Sequence, residues 1–438
     1  MARLNECILY RNFEHGEILD KMAELMNAWE QKAPDLKEKE GLFFECANGL
    51  VETAGSYGFS GNLWHCYLTF LLVNNENAFS TACEIRGAVN GSINELALND
   101  FGVFKELYDF DLTVLDEAFG ISCCKVLGDY TNTGSNSKMF NSRIRDRICD
   151  LSKTLAAAES TEEFMKDMVQ FYKDFGVGKL GLHKAFRVGH DENDNVEIQP
   201  ITRIAHVKLE DLVGYEIPKQ KLIENTEAFV RGRKANNCLL FGDAGTGKSS
   251  SIKGILNRYY DEGLRIIEVY KHQFQDLNDV IAQIKNRNYK FIIYMDDLSF
   301  EEFEIEYKYL KAVIEGGLEK KPDNILIYAT SNRRHLVRER AGDKLEVGAD
   351  DDIHSSDTVQ EKLSLVYRFG VRIYFGAPDR KEFHTIVKTL AQRNGITMPE
   401  DELLLEAGKW EISHGGLTGR TAQQFIDHLL GKEETQEA

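Results

Sequence analysis

The sequence predicts an α/β fold, in which helices flank a parallel sheet, with a mainly helical domain before it and a helical lid after it. Three observations support this prediction. Apolar residues recur at three- and four-residue spacings from residue 1 to about 175. From residue 205 onward, short apolar runs alternate with helical segments, as in a parallel sheet covered on both faces. From about residue 379 the pattern is helical again.

These changes of pattern divide the chain into five predicted segments. They are a mainly helical N-terminal domain (1–188), a linker or hairpin (189–204), an α/β domain (205–377), a helical lid (378–432) and a frayed tail (433–438). Residues 190–200, HDENDNVEIQP, are charged, rich in Asn and end in proline, which is typical of a hairpin tip or a linker.

Charge and composition exclude several classes of protein. Most of the formal charge of −18 lies in residues 1–200, which carry about 32 acidic and 19 basic side chains. A half this acidic is a poor non-specific partner for nucleic acid or an anionic membrane. The first residues lack the apolar core of a signal peptide, and the longest apolar run, 63–73, is about half of what spans a bilayer. We therefore expect a cytoplasmic protein without membrane contact.

The N-terminal half shows helices but no catalytic constellation. Helical spacing is clearest at residues 18–29, 63–73, 101–119 and 164–175. The eight cysteines are scattered or adjacent, without a CxxC pair, which favours reduced thiols. His15 and His65 lack partners at metal-ligand spacing, so we interpret them as packed side chains. We expect this acidic domain to recognise a protein partner.

One glycine-rich stretch resembles a dinucleotide fingerprint without its context. Residues 176–181 fit G-x-G-x-x-G, but they follow a helix and precede a predicted strand at 182–188, whereas the fingerprint needs a strand, then the loop, then a helix. We predict that Gly176 ends the preceding helix in a left-handed conformation.

The α/β domain has five predicted strands and four predicted helices. The strands are 238–241, 265–269, 290–295, 324–329 and 371–375, and the helices are 217–231, 250–260, 276–286 and 302–316. Because ligands of parallel sheets gather at the carboxyl ends of the strands, we look for chemistry at those ends.

The first of these strands ends in GDAGTGKS, the Walker A pattern, with a helix after it. Gly242, Gly245 and Gly247 permit backbone conformations that point successive N–H groups at an anion, and the helix N-terminus faces the same way. We predict that Lys248 reaches the β- and γ-phosphates and that the Ser249 hydroxyl completes a Mg²⁺ shell. Asp243, Ala244, Thr246 and Ser250 complete the predicted phosphate-binding set.

A second strand ends in two acids, Asp296 and Asp297, which fits the Walker B pattern. Adjacent carboxylates at the end of so apolar a strand need a cation nearby, because unpaired charge is costly there. We predict that Asp296 holds Mg²⁺ and that Asp297 orients or deprotonates the attacking water. A solvated Asp-Asp turn is the alternative.

With these motifs in order, the chain resembles the AAA+ ATPases over about residues 205–432. The resemblance implies an adenine pocket lined by Val213, Gly214 and Tyr215, and a sensor residue, Asn332, after the fourth strand. It also implies that Arg368 in SLVYRFG is an arginine finger for a neighbouring subunit, and that Arg420 in GLTGR is a second sensor on the lid. ATP and Mg²⁺ as cofactors and a homo-oligomer follow from it as expectations.

Within that superfamily, DDLSFE, ATSNRRHLVRE and EKLSLVYRFG resemble the bacterial group DUF815. Asp297 stands where most AAA+ proteins carry Glu, and the segment YKHQF at 270–274 lacks the pattern of a threading pore loop. The alternatives for Arg368 and Arg420 are pairing with the acidic residues 350–352 and surface pairing on the lid helix. The basic residues between 333 and 340 are a solvated or intersubunit face more readily than a nucleic-acid contact.

Three functions remain open at this point. The first is an ATPase that remodels or switches a partner, with turnover dependent on assembly. The second is an ATP-dependent scaffold or switch with little hydrolysis, motivated by Asp297. The third is a loader acting on DNA, which the acidic N-terminal half disfavours.

Overall fold

The computed structural model describes residues 4–88, 90–132, 142–202, 204–300, 306–315, 322–332 and 365–433. The chain divides into two compact units, Met1–His183 and Lys184–Ala438. Within the described residues, no helix is both long and apolar enough to cross a membrane.

The N-terminal unit is helical, as predicted. Its helices are Glu17–Glu30 (α1), Glu40–Tyr57 (α2), Leu63–Asn74 (α3), Ala78–Arg86 (α4), Ser92–Asp109 (α5), Thr113–Phe119 (α6), Cys124–Gly128 (α7), Ser142–Ala157 (α8), Thr161–Phe175 (α9) and Gly178–Leu182 (α10). Helix α3 forms the centre, because ten of its twelve residues are buried. The Asn62 side chain accepts a hydrogen bond from the His65 N–H and thereby caps α3.

A buried carboxylate holds the start of this unit in place. Asp100 on α5 is fully buried and accepts hydrogen bonds of 2.7–3.0 Å from the backbone N–H groups of Ile8, Leu9 and Tyr10. Tyr10 packs against Phe101 with ring centroids 5.1 Å apart. Because three backbone donors satisfy the charge, it can remain buried as part of the fold.

The second unit is built on a seven-stranded sheet. Its strands are Ala185–His190 (β1), Val196–Pro200 (β2), Cys238–Gly242 (β3), Leu264–Glu268 (β4), Lys290–Met295 (β5), Ile325–Ser331 (β6) and Val371–Phe375 (β7). They lie in the order β2-β1-β4-β5-β6-β3-β7, and every neighbouring pair is parallel except β1 and β2. The carboxyl ends of β3, β5 and β6 therefore meet at one edge, which confirms the predicted fold class.

The second unit also contains seven α-helices within the described residues, and the last three come after the final strand in the chain. They are Glu216–Val230 (α11), Lys248–Tyr259 (α12), Leu277–Ile284 (α13), Glu306–Glu315 (α14), Arg380–Arg393 (α15), Glu400–Ser413 (α16) and Gly419–Glu433 (α17). The last three form the lid, with a core of their own that includes Phe383, Val387, Ala407 and Phe425. Asp379 caps α15 by accepting a hydrogen bond from Glu382 N–H.

The structure differs from the predicted domain boundaries at the junction. The units separate after His183, whereas the predicted helical domain extends to residue 188. Strand β1 pairs in parallel with β4 and in antiparallel fashion with β2, so the hairpin at 185–200 extends the sheet. The predicted strand at 182–188 begins three residues late, because α10 occupies Gly178–Leu182. Gly176 ends α9 with a φ of 82° but a ψ of −172°, outside the predicted left-handed helical region.

Candidate functional site

The loop between β3 and α12 is shaped by glycine. Gly242, Gly245 and Gly247 have φ values of 134°, 75° and 86°, which other residues rarely adopt. A Cβ atom on Gly242 would collide with the Phe375 carbonyl group of β7. Helix α12 begins at Lys248, directly after Gly247, so its free N–H groups face the loop. The loop therefore has the geometry of an anion site.

Lys248 lies beneath this loop. Only 6% of the residue is exposed, and its Nζ donates to the carbonyl oxygens of Gly242 (3.1 Å) and Asp243 (2.6 Å). Burial lowers the pKa of the Lys248 amine, while the carboxylates of Asp243 and Asp297 oppose that shift. The two carbonyl oxygens thus hold the Lys248 ammonium group next to the anion site.

The two acids of β5 lie across from the loop. Asp296 Oδ1 accepts hydrogen bonds from Ser249 Oγ (2.7 Å), Thr330 Oγ1 (2.5 Å) and the Asp297 N–H (3.2 Å). Burial favours the protonated form of Asp296, but the hydrogen bonds, led by that from Thr330, outweigh burial and lower its pKa. Asp296 is therefore held as a carboxylate.

Asp297 is held in an unusual backbone conformation. Its φ of 49° is rare for a residue with a side chain, and such conformations persist where surrounding contacts enforce them. Here the Asp297 N–H donates to Thr330 Oγ1 (2.9 Å), and Asn332 Nδ2 donates to Asp297 Oδ1 (2.8 Å). The two residues from β6 and its end thus fix both the backbone and the side chain of Asp297.

Thr330 was missed by the sequence analysis. Its hydroxyl bridges the Asp296 carboxylate and the Asp297 N–H, so it aligns both acids. A signal was available, since Thr330 lies two residues before Asn332 in the same motif. Its meaning depends on β6 lying beside β5, with Met295 opposite Ala329, and that pairing is not visible in the sequence.

The oxygen atoms at the loop and the β5 end suit a magnesium ion. Ser249 and Asp296 offer a hydroxyl and a carboxylate whose oxygens are already 2.7 Å apart. Mg²⁺ prefers oxygen ligands, takes one or two carboxylates from a protein and leaves other positions to water and phosphate. The donor set therefore fits the ion.

A cavity of about 640 Å³ joins these groups. Its lining combines polar groups of the loop, β5 and β6 with apolar side chains, which are those of Leu212, Val213 and Tyr215 before α11 and of Ile386 and Leu390 of α15. Its lining includes these predicted residues: Val213, Tyr215, Ala244, Gly245, Thr246, Gly247, Lys248, Ser249, Ser250, Asp296, Asp297, Asn332 and Arg420. The Tyr215 hydroxyl is buried without a hydrogen-bond partner among the described residues, and burial raises its pKa to about 12.

The lid touches the phosphate loop at the start of α17. The Arg420 N–H donates to the Gly245 carbonyl oxygen at 3.2 Å, and the Arg420 side chain lines the cavity. At the end of α15, Arg393 donates to the carbonyl oxygens of Asp211 and Glu210, both at 2.9 Å. The lid is therefore bonded both to the loop and to the backbone just before Leu212.

Asp243 is an acidic residue within the anion-binding loop, and its side chain has a partner outside the loop. Its side chain accepts a hydrogen bond from the Ala377 N–H (2.7 Å), and its own N–H donates to the Phe375 carbonyl oxygen (3.0 Å). The carboxylate thus bonds to the chain that leads from β7 into the lid. Asp243 links the loop to the lid connection.

Four predicted site residues do not line the cavity: Gly242, Asp243, Gly214 and Arg368. Gly242 ends β3, and Gly214 forms the turn before Tyr215 with a φ of 81°. Arg368 is partly buried and precedes β7, at the end of that strand opposite the loop, because Phe375 pairs with Gly242. The basic residues 333–340 and the acidic residues 350–352 lie outside the described residues.

Solved structures of RuvB from Thermotoga maritima are similar to this chain over about half of its length. A point mutant is 16% identical, with a TM-score of 0.38, and the match covers 53% of this chain and 68% of that one. A structure titled as the RuvB Holliday junction branch migration motor is 14% identical, with a TM-score of 0.32 and coverage of 51% and 72%. Likenesses this distant carry no argument about activity. No curated protein matches the chain.

The match to a protein family is more extensive. Residues 182–433, more than half of the chain, match the family described as "Protein of unknown function (DUF815)". This segment contains the parallel sheet, the phosphate loop, the two acids of β5 and the lid. The chain therefore belongs to the DUF815 family.

Proposed function

We propose that this protein binds ATP with Mg²⁺ and hydrolyses it to remodel or switch a protein partner. The observation that carries the proposal is the convergence of Lys248, Ser249, Asp296, Asp297 and Asn332 on one cavity that apolar side chains also line. The polar groups suit a triphosphate, and the apolar side chains suit a base.

The phosphate side divides into binding and orienting groups. The glycine loop and the N-terminus of α12 direct N–H groups at the phosphates, and Lys248 exchanges its carbonyl partners for phosphate oxygens. Ser249 and Asp296 would hold Mg²⁺, which when bound neutralises negative charge on the phosphates. Ser249 and Asp296 already lie together, so the main rearrangement expected on binding is the exchange of hydrogen-bond partners at Lys248.

Asp297 is the residue proposed to orient the attacking water. Asn332 donates to Asp297 Oδ1, which leaves Oδ2 for a water molecule. In this role Asp297 accepts the proton of that water as the new bond to phosphorus forms. Because Asp is one methylene shorter than Glu, the water must lie closer to the backbone, and we expect slow turnover.

We propose that Arg368 acts on the nucleotide of a neighbouring copy in a homo-oligomer. It lies at the opposite end of β7 from the phosphate loop of its own chain, which is consistent with a role in trans. Arg420 would act on the nucleotide of its own chain from the lid. An arginine finger typically contributes about 10³–10⁵-fold to the rate.

Phosphate release measured across a range of protein concentrations tests this proposal. We expect specific activity to rise with concentration as the protein assembles, Arg368→Ala to retain ATP binding, and its turnover to fall by about 10³-fold. Arg372→Ala is the matched control, because Arg372 is an exposed arginine four residues further on. Equal turnover in Arg368→Ala and wild-type protein would contradict the trans assignment.

A second candidate is an ATP-dependent switch or scaffold with little hydrolysis. Two observations favour it: the short side chain of Asp297 and the hydrogen bond that Asn332 already makes to it. Tight ATP binding with a near-zero rate at every protein concentration would support this switch over the ATPase. In either case we propose that the acidic N-terminal unit recognises the protein partner.

A further inference from the structure

Two cysteines from different helices of the N-terminal unit meet side by side. Cys66 lies on α3 and Cys149 on α8, and their Sγ atoms are 4.0 Å apart. Cys66 is 1% exposed, whereas Cys149 is partly exposed. One residue of the pair is therefore partly exposed, and the other is buried.

The surroundings of the pair favour a thiolate at Cys149. Cys66 Sγ lies 4.0 Å from Cys149 Sγ, 3.6 Å from the Ser60 carbonyl oxygen and 3.5 Å from Ser152 Oγ. The contact between the two thiols lowers the pKa of Cys149, although burial opposes the shift, and the same contact together with burial raises the pKa of Cys66. The Ser60 backbone and the Lys153 ammonium add to the lowering, and Asp146 opposes it. Since the thiolate is the reactive form of cysteine, Cys149 is the thiol prepared to react.

The other six cysteines, all within the described residues, have the opposite character. Burial raises the pKa of Cys7, Cys46, Cys83, Cys124 and Cys238. Cys123 is partly exposed like Cys149, yet burial and the nearby Asp116 raise its pKa. Exposure alone therefore does not distinguish Cys149, and Cys123 is its natural control.

We propose that Cys149 and Cys66 form a reversible dithiol modification site that responds to hydroperoxides, with Cys149 as the attacking thiol and Cys66 as the resolving thiol. The inference rests on the placement of the two sulfur atoms and on the partial exposure of Cys149. It is independent of nucleotide binding.

The reaction proceeds in two balanced steps. The Cys149 thiolate attacks the peroxide oxygen, the O–O bond breaks, and the leaving hydroxide takes a proton to give water and a sulfenic acid at Cys149. The Cys66 sulfur then attacks the Cys149 sulfur, the S–O bond breaks, and the hydroxyl leaves as a second water with the thiol proton. Overall two thiols are oxidised to one disulfide, and one hydrogen peroxide is reduced to two waters.

The two sulfur atoms must approach each other for this bond to form. A disulfide needs the sulfur atoms about 2 Å apart, so each must approach by about 1 Å from the present 4.0 Å. Helices α3 and α8 are packed neighbours in the same core, and side-chain rotation supplies shifts of this size. The product would cross-link the central helix of the unit to α8.

Hydrogen peroxide treatment of the full chain, followed by thiol counting and non-reducing peptide mapping, tests the proposal. We expect the wild-type protein to lose two of its eight thiols, with a Cys66–Cys149 peptide pair that a dithiol reductant removes. Cys149→Ser should lose none at the same dose. Cys66→Ser should trap Cys149 as a sulfenic acid that reacts with dimedone.

Cys123→Ser is the matched control and should form the same cross-link as the wild type. If a Cys66 or Cys149 variant fails to fold, the wild-type peptide map alone still decides the question. Retention of all eight thiols, or a cross-link between other cysteines, would overturn the proposal.

Discussion

Asp100 in the N-terminal unit and Asp296 in the sheet unit are both carboxylates that accept three or more hydrogen bonds, yet their settings differ. Asp100 is fully buried, and backbone N–H groups of its own unit satisfy it. Asp296 faces a cavity, where its partners are the hydroxyls of Ser249 and Thr330. A full set of hydrogen bonds therefore does not by itself indicate that an acid is functional. What distinguishes Asp296 is that it lines a cavity together with the positively charged Lys248.

The same contrast extends to the two units. In the N-terminal unit, buried polar side chains donate to backbone carbonyl oxygens of other helices. Tyr172 donates to that of Leu72, and Trp64 donates to that of Leu107. In the sheet unit, polar side chains from β5, β6 and α12 converge on a shared space. The groups on which the proposed chemistry depends therefore all lie in the sheet unit.

The largest expected effects come from replacing each of the two carboxylates by an amide, which should change stability at Asp100 and turnover at Asp296. Asp100→Asn should lower the free energy of unfolding by about 3 kcal/mol, because the amide N–H₂ would face backbone donors. Asp296→Asn should change it by less than about 1 kcal/mol, since an amide oxygen can still accept from Ser249 and Thr330. Turnover should instead fall about 100-fold in Asp296→Asn, through loss of a metal ligand.

Urea unfolding followed by circular dichroism, together with phosphate release, measures both effects. Asp279→Asn, an exposed acid on α13, is the control and should change neither. A severe loss of stability in Asp296→Asn with an unaffected Asp100→Asn protein would reverse the comparison.

A smaller effect is expected at Thr330, and it should depend on pH. Thr330→Val leaves Asp296 and the Asp297 N–H without their shared partner, which should cost about 2 kcal/mol at pH 7. Because the folded pKa of Asp296 is lowered, this stabilisation is present above the ordinary Asp pKa of about 3.9 and is lost as pH falls through the folded value. The stability difference between wild type and variant should therefore shrink in acid.

Thr226→Val is the matched comparison for that pH series. Thr226 is also buried, but its hydroxyl bonds only neutral groups, the Leu222 carbonyl oxygen and the Tyr328 hydroxyl. Its stability difference should stay constant over the same range. If the stability differences of the two variants change with pH in the same way, Thr330 does not stabilise the fold through the charged form of Asp296.

The smallest expected effect concerns the link between the loop and the lid. Asp243→Ala removes the acceptor for the Ala377 N–H and should cost about 1 kcal/mol, with faster hydrogen exchange at Ala377. Asp243→Asn removes the same charge but keeps an acceptor oxygen, so it should behave like the wild type. If both variants change equally, the charge of Asp243 matters and the link does not.

Features that depend on neighbouring residues in the chain can be predicted from the sequence. Lys248, Ser249 and Asp296 follow strands whose apolar runs are visible in the sequence, and parallel strands bring their carboxyl ends together. Thr330 and the Asp243 link could not be predicted, because each depends on contacts between distant segments, 34 and 134 residues apart. The sequence marks residues 190–200 as a hairpin tip or a linker, and the structure has a hairpin there, whose pairing with β4 leaves no local signal.

The most direct test of the account is ATP binding, measured by calorimetry with Mg²⁺ on wild-type, Lys248→Ala and Lys253→Ala proteins. Lys253 is an exposed lysine on the same helix as Lys248, so it controls for the loss of a positive charge. The account predicts binding by the wild type, unchanged affinity in Lys253→Ala, and about 100-fold weaker binding in Lys248→Ala. No binding by the wild type, or equal affinity in all three proteins, would contradict it.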